Sequence, residues 1–166
     1  MPFAPCHLTE RYVSWLNDPE VVRYSEQRHQ QHTLETCRRY YEANISGPNY
    51  FWAIEALDTE GHIGNIGVTV DRPNSVGDIA IILGERSVWG RGYGAEAWSA
   101  VCEYLLSDVG LRKVTAGTMI CNQGMLGIMR KVGMVEECRR PRQFLVDGKE
   151  TDIVYVAIYH QREGAG

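Results

Sequence analysis

The stretch Val88-Trp89-Gly90-Arg91-Gly92-Tyr93-Gly94-Ala95-Glu96-Ala97 constrains the fold more than any other. It follows the apolar run Ile79-Ala80-Ile81-Ile82-Leu83 and opens a helical pattern that reaches about Leu106. The order is therefore strand, glycine-rich turn, helix. Glycines at alternate positions (Gly90, Gly92, Gly94) tolerate positive φ and let another molecule approach the backbone. The first amides of a helix are unpaired and its dipole adds positive potential, which suits an anion such as a pyrophosphate. The same glycines also suit a tight strand–helix turn without a ligand, and the motif alone leaves both readings open.

The chain of 166 residues is read as one domain, 1–166, with residues 1–8 and 161–166 peripheral. A net charge of −4 argues against a general nucleic-acid binder, whose phosphate contacts need a basic face. No apolar run approaches 18 residues, so no membrane-spanning helix is expected. The opening Met1-Pro2-Phe3-Ala4-Pro5-Cys6-His7 lacks the basic and apolar regions of a signal peptide. Cys6, Cys37, Cys102, Cys121 and Cys138 are odd in number and show no metal-ligand spacing. They read as reduced thiols of a cytoplasmic protein with no metal site.

Thr9 is a candidate cap for a first helix to about Asp18, with Tyr12, Val13, Trp15 and Leu16 on one stripe. Asn17-Asp18-Pro19 breaks it, Glu20–Tyr24 reads as a short helical turn, and Ser25–His32 reads as a polar loop. Thr33 caps a second helix to about Ser46, ended by Gly47-Pro48-Asn49. Tyr50–Leu57 and His62–Val70 are strand candidates around Asp58-Thr59-Glu60-Gly61, and Val76–Leu83 is a third. The helix after the glycine turn is expected to run to about Ser107, with Ala97, Val101, Tyr104 and Leu105 inward. A strand over Lys113–Ile120 precedes a helix from Asn122 to about Lys131, with Gly133 at its C′ position. Strands Met134–Val146 and Glu150–Tyr159 join at Asp147-Gly148, and the tail Gln161–Gly166 is expected to fray. The fold class is α/β, with a mostly antiparallel sheet and a parallel pairing after the glycine-turn helix.

Taken together, four motifs resemble the GNAT superfamily of acyl-CoA-dependent N-acyltransferases. Arg91-Gly92-Tyr93-Gly94 looks like its pyrophosphate loop, with Trp89 where many members carry Gln or Arg. Cys121-Asn122 followed by Arg130-Lys131-Val132-Gly133-Met134 looks like its second CoA motif. Asp147-Gly148-Lys149-Glu150-Thr151-Asp152 and Trp15-Leu16-Asn17-Asp18-Pro19-Glu20-Val21 are similar to the branch of ribosomal-protein N-terminal acetyltransferases. The resemblance covers about residues 10–160. It implies a GNAT-like sheet with splayed central strands, flanked by helices. Three departures stand out. Residues 1–8 hardly supply the usual first strand, Met125 replaces a common Ser, and Met129 replaces the Tyr that protonates departing CoA in many members.

The resemblance implies acetyl-CoA as co-substrate and direct attack by an amine in a ternary complex. Backbone near Ile82 and Leu83 would hold the pantetheine, and the amides of Arg91, Gly92, Tyr93, Gly94 and Ala95 the pyrophosphate. Asn122 would meet the pantetheine or a water, and Arg130 or Lys131 the 3′-phosphate. Exposed bases at a helix end also serve simply as partners of its dipole. Glu85, just past the central strand, is the candidate base, against a plain role capping the turn or pairing with Arg86. His29 and His32, in the loop that would cover the acceptor, are candidate substrate contacts or alternative bases, against plain surface roles, and Trp52 is a candidate substrate contact, against a place in the core. Cys121 is read as a buried small hydrophobe, not a nucleophile. The acceptor expected is a small-molecule primary amine such as an amino sugar on a nucleotide, whose phosphates or hydroxyls the polar, cationic loop Arg23–His32 would meet. Protein N-termini are the runner-up acceptor, and a non-catalytic CoA-sensing domain is the alternative class. A homodimer is left open by the sequence.

Overall fold

The computed structural model describes residues 1–58 and 61–160. The expectations for Thr59-Glu60 and for the tail 161–166 therefore lie outside the described residues. The chain forms helices α1 (Glu10–Leu16) and α2 (Leu34–Ile45), then strands β1 (Tyr50–Ala56), β2 (Gly61–Asp71) and β3 (Val76–Leu83). Helix α3 (Tyr93–Glu103), β4 (Lys113–Met119), α4 (Gln123–Lys131), β5 (Val135–Val146) and β6 (Lys149–Tyr159) complete it.

Local chemistry explains the boundaries. The side chains of Thr9 and Thr33 accept the amides of Tyr12 and Thr36, satisfying donors that the first helical turn leaves open. Asn122 does the same for Met125 at the start of α4. Asp147 and Gly148 both take positive φ, 50° and 74°, as a two-residue hairpin turn of the twist-matching type requires. Glu20–Tyr24 forms turns instead of a helix, and residues 26–29, read as loop, make one 3₁₀ turn. Past Glu103, α3 widens into a π turn over 104–108, where the amide of Val109 donates to Tyr104 O.

The strands form one sheet in the order β1-β2-β3-β4-β6-β5, antiparallel throughout except for the β3–β4 pair. Because side chains alternate along a strand, the sheet buries two different layers. On one face Trp98, Cys102, Leu105 and Met129 pack on Ile66, Val68, Val114 and Val154. On the other, Tyr12, Trp15, Leu16 and Cys37 pack on Phe3, Phe51 and Ala53. The inward stripe of α3 is thus Ala95, Trp98, Cys102 and Leu105, whereas Ala97 and Val101 are half-buried and Tyr104 is exposed. Leu105 faces inward as expected, but the rest of the buried stripe begins at Gly94 and Ala95, in the first turn of α3, and so runs through Trp98 and Cys102 instead of Ala97 and Val101.

The first edge of the sheet is also supplied. Phe3 N–H donates to Phe51 O and Ala53 N–H to Met1 O, so residues 1–3 line β1 in extended form. Phe3, stacked on Phe51 with ring centroids 4.4 Å apart, secures them. No helix among the described residues is long and apolar enough to cross a membrane.

Candidate active site

The site begins at a seam. Strand β3 pairs with β4 only at Val76–Lys113, Gly77–Val114 and Asp78–Thr115, although β3 pairs with β2 along its whole length. From Ile79 to Leu83 one backbone edge of β3 therefore has no ladder. The gap opens into a cleft of about 590 Å³ between the end of β3, the turn before α3, and α4. Ile81 and Leu83 turn toward the α3–α4 layer, and Ile82 toward the α1–α2 layer.

The glycine turn closes one end. Val88 is anchored in the core, and the chain then passes through Gly90 and Gly92 at φ 73° and 96°. That left-handed backbone costs a residue with a Cβ about 1–2 kcal/mol. Gly92 caps α3 without a side chain, so the amides of Tyr93, Gly94 and Ala95 have no capping acceptor. Gly90, Gly92, Gly94 and Ala95 line the cleft, while the side chains of Arg91 and Tyr93 turn away from it. Tyr93 Oη donates to Asp58 at 2.6 Å and Arg91 approaches the same carboxylate at 3.4 Å. The Tyr93 hydrogen bond holds the Asp58 carboxyl below the usual carboxylate range. The turn is thereby tied to the end of β1, and only backbone is left to face an anion. Trp89 lies across the cleft wall, its indole donating to Leu83 O at 2.9 Å.

On the α4 side, Asn122 lines the cleft while its amide caps the helix and donates to Thr118 Oγ1 at 3.3 Å. Lys131 also lines the cleft. Arg130 does not; its Nε folds back onto Leu126 O. Met129 is core, 2% exposed, so its helical position faces the sheet instead of the cleft. Cys121 is exposed, with Thr151 Oγ1 at 3.7 Å, which corrects its reading as buried.

Four sequence candidates lie elsewhere. Glu85 accepts from Arg11 Nη2 at 2.6 Å and from the amide and hydroxyl of Ser87, so it caps the 3₁₀ turn over 86–88. The Arg11 guanidinium first, then Ser87, holds its carboxyl below the ordinary glutamate value. Arg86, its expected partner, reaches Asp18 at 3.6 Å instead. His32 is buried, with its amide on Asn17 Oδ1 and its ring against Gln27 O. His29 is exposed beside Glu26. Trp52 stacks on Tyr50 and lines a separate groove of about 660 Å³ between β1 and α3, with Tyr93 and Tyr104.

The remaining cleft wall comes from the turn after α1, through Glu20, Val21, Tyr24 and Ser25. The burial of Val22 points its neighbours outward, and Glu20 and Tyr24 stand four residues apart on one side. Sequence reasoning gave Glu20 and Tyr24 no role, although their spacing around Val21 and Val22 was available. Among the described residues no cluster of His, Cys, Asp and Glu could hold a metal ion.

Comparison with known proteins matches this arrangement. A family model described as acetyltransferase (GNAT) domain covers residues 2–135. The solved structure of spermidine N-acetyltransferase from Vibrio cholerae, in complex with CoA and spermine, is similar at a TM-score of 0.84 and 15% identity, covering 96% of this chain and 94% of that one. A GNAT-family acetyltransferase from Bacillus anthracis is similar at 0.80 and 19% identity, covering 96% and 93%. No curated protein sequence matches the chain. The strand seam, the side-chain-free helix start and the sequence match over residues 2–135 agree, and the chain belongs to the GNAT family of acetyltransferases, enzymes that use acetyl-CoA as co-substrate.

Proposed function

We propose that this protein transfers the acetyl group of acetyl-CoA to the primary amine of a small aliphatic molecule, by direct attack within the seam between β3 and β4. The observation that carries this reading is the unpaired edge of Ile79–Leu83 running up to the open amides of α3. When bound, acetyl-CoA supplies an activated thioester carbonyl. The residues present fit it. A Cβ on Gly90, Gly92 or Gly127 would meet no protein atom within 4 Å, so these glycines keep open the space they line. The amides of Gly92 to Ala95 and the start of α3 suit the pyrophosphate. Lys131 supplies a cation for a further phosphate, and the edge of β3 that β4 leaves unpaired over Ile79–Leu83, apart from the Leu83 carbonyl held by Trp89, supplies backbone groups for amide-bearing pantetheine. Apolar side chains, Ile81, Met125 and Ile128 among them, keep water from the thioester.

The acceptor follows from the loop after α1. Its arginines are engaged by the protein itself. Arg23 pairs with Asp147 at 2.7 Å, and Arg28 with Glu26 at 3.0 Å and the carbonyl of Ser25 at 2.9 Å. That leaves Glu20 and Tyr24 toward the cleft, which favours a cationic amine over the phosphate-bearing amino sugar. The structural neighbour that acts on spermidine supports the same class. Calorimetry with acetyl-CoA and thiol release across aliphatic amines, nucleotide-linked amino sugars and peptides test the proposal. Binding with fastest release on aliphatic amines is expected. Release only with peptides would move the acceptor to protein N-termini, and binding without release would leave a CoA sensor.

A further inference from the structure

The transfer reading imposes a proton balance. The acceptor arrives as an ammonium and must lose a proton before its nitrogen can attack. The nitrogen loses a second proton as the C–N bond forms and the C–S bond breaks. The departing sulfur leaves as a thiolate and needs a proton. Helix α4 offers no phenol: it contains no tyrosine, and Met129 is buried in the core. Glu85 faces Arg11 and Ser87. Among the described residues that line the cleft, only Glu20, Tyr24 and Lys131 carry ionisable side chains.

Resting on the N-acetyltransferase reading, we propose that Glu20 takes the proton of the incoming ammonium and that Tyr24 protonates the departing thiolate. Carboxylates near neutral pH can only accept, and phenols near neutral pH hold a proton to give. Lys131 stands at the C-terminal end of α4, where a cation complements the helix dipole and suits a phosphate. Glu20 and Tyr24 are held as a pair. Val22 between them is 3% exposed, its amide donates to Asp18 O, and Ser25 N–H closes the next turn on Val22 O. Arg23 is drawn off to Asp147 at 2.7 Å and stands 4.0 Å from Glu20, so the carboxylate keeps its charge largely for a ligand.

The charged and titratable groups around the pair are Asp18, which accepts the Glu20 amide, Arg23, whose guanidinium lies 5.7 Å from the Tyr24 ring, and Lys131 across the cleft. The proton lost by the nitrogen as the C–N bond forms restores the Tyr24 phenol. The proton on Glu20 passes to solvent. One amine and one thioester give one amide, one thiol and one released proton.

The experiment is steady-state thiol release, with acetyl-CoA affinity of every variant measured by calorimetry. Glu20→Gln is expected to lower kcat/KM for the amine about a hundredfold at neutral pH, with activity returning as the pH approaches that at which the amine deprotonates unaided. Glu20→Asp should restore part of it. Tyr24→Phe should lower kcat about a hundredfold with acetyl-CoA affinity kept. Tyr24 replaced by 3,5-difluorotyrosine should shift the basic limb of the kcat profile to lower pH. A Glu20→Gln profile parallel to the parent, a basic limb unmoved by fluorination, or loss of acetyl-CoA affinity in either variant would overturn the assignment. Failure of the underlying reading looks different: the unaltered protein would then release no thiol with any amine.

Discussion

At the scale of single residues, Gly127 separates stability from binding. It sits inside α4 at ordinary helical φ, it lines the cleft, and a Cβ there would meet nothing within 4 Å. Glycine in a helix interior costs roughly 0.5–1 kcal/mol relative to alanine. Gly127→Ala should therefore raise the melting temperature, and Gly127→Leu should keep most of that gain. The larger side chain would also project into the donor's place, and we expect acetyl-CoA affinity to fall at least about tenfold, or about 1.4 kcal/mol. Calorimetry and thermal melts on the same samples check this; a stabilised variant with full affinity would place the donor elsewhere. Glu85 gives the opposite case, a residue whose position suggests chemistry and whose partners suggest structure. Its neighbours in sequence could show that it caps a turn, but not that Arg11, 74 residues away, takes the carboxylate. The pair is partly exposed, 37% and 26%, so it is worth about 1 kcal/mol or less. Because Arg11 lowers the folded-state value, that stabilisation is present above the ordinary glutamate range near 4.3 and is lost as pH falls through the lower folded value. Glu85→Gln should melt slightly lower than the parent near neutrality, converge with it in acid, and release thiol within about threefold of the parent. A loss of about a hundredfold with the fold intact would return Glu85 to the role of base.

At the scale of elements, the legible parts were those written in local chemistry. Thr9, Thr33 and Asn122 announced three helix starts, and Asp147-Gly148 announced a hairpin, because each acts within a few residues of itself. What the sequence hid depends on partners far along the chain. Residues 1–3 carry no strand signal of their own and are extended because β1 offers an edge and Phe51 a ring to stack on. The same distance effect hid the histidine layer under α1. His62 packs among Phe3, Tyr12, Trp15 and His7, with ring centroids at 4.9–5.9 Å, and its buried Nε2 has no hydrogen-bond partner. Burial first, then the facing His7, lowers its pKa to about 4. The folded form therefore keeps the ring neutral where the unfolded chain, with an ordinary value near 6.5, binds a proton. Stability is full above that ordinary value and declines as pH falls from about 6.5 toward 4. We expect His62→Phe, which retains an aromatic ring in an aromatic layer, to melt several degrees less steeply with acidification over that interval. Equal slopes for the two proteins in melts from pH 7 to 4.5 would remove His62 as the source.

For the whole molecule, the sheet is two three-stranded halves, β1-β2-β3 and β4-β6-β5, joined in backbone terms by the three residue pairs of the seam. The rest of the join is side-chain packing from α3 and α4. Gly94 brings those two helices close, since a Cβ there would stand 3.2 Å from Ile128 Cδ1. The glycine turn was readable as a place where an anion could sit. The divergence of β3 from β4 was implied only by the family resemblance, and its position after Asp78 was not legible, because it is a property of two strands 37 residues apart and neither sequence marks where pairing stops. A ligand held in the seam touches both halves and should tie them together. At a concentration 100 times its Kd, a ligand binding only the folded state adds about 2.7 kcal/mol. For a chain of this size that is a rise of about 5–10 °C in the melting temperature. Location distinguishes this from any other binding. Hydrogen exchange should slow most at the amides of Tyr93, Gly94 and Ala95 and along β4 and α4, with β1 and β5 gaining no more than the global increase. The groove between β1 and α3, lined by Trp52 and Tyr104, is similarly large, at about 660 Å³ against 590 Å³ for the cleft. A thermal shift accompanied by protection centred on Tyr50–Ala56 and Tyr104 would put acetyl-CoA in that groove and remove the seam as the site of transfer.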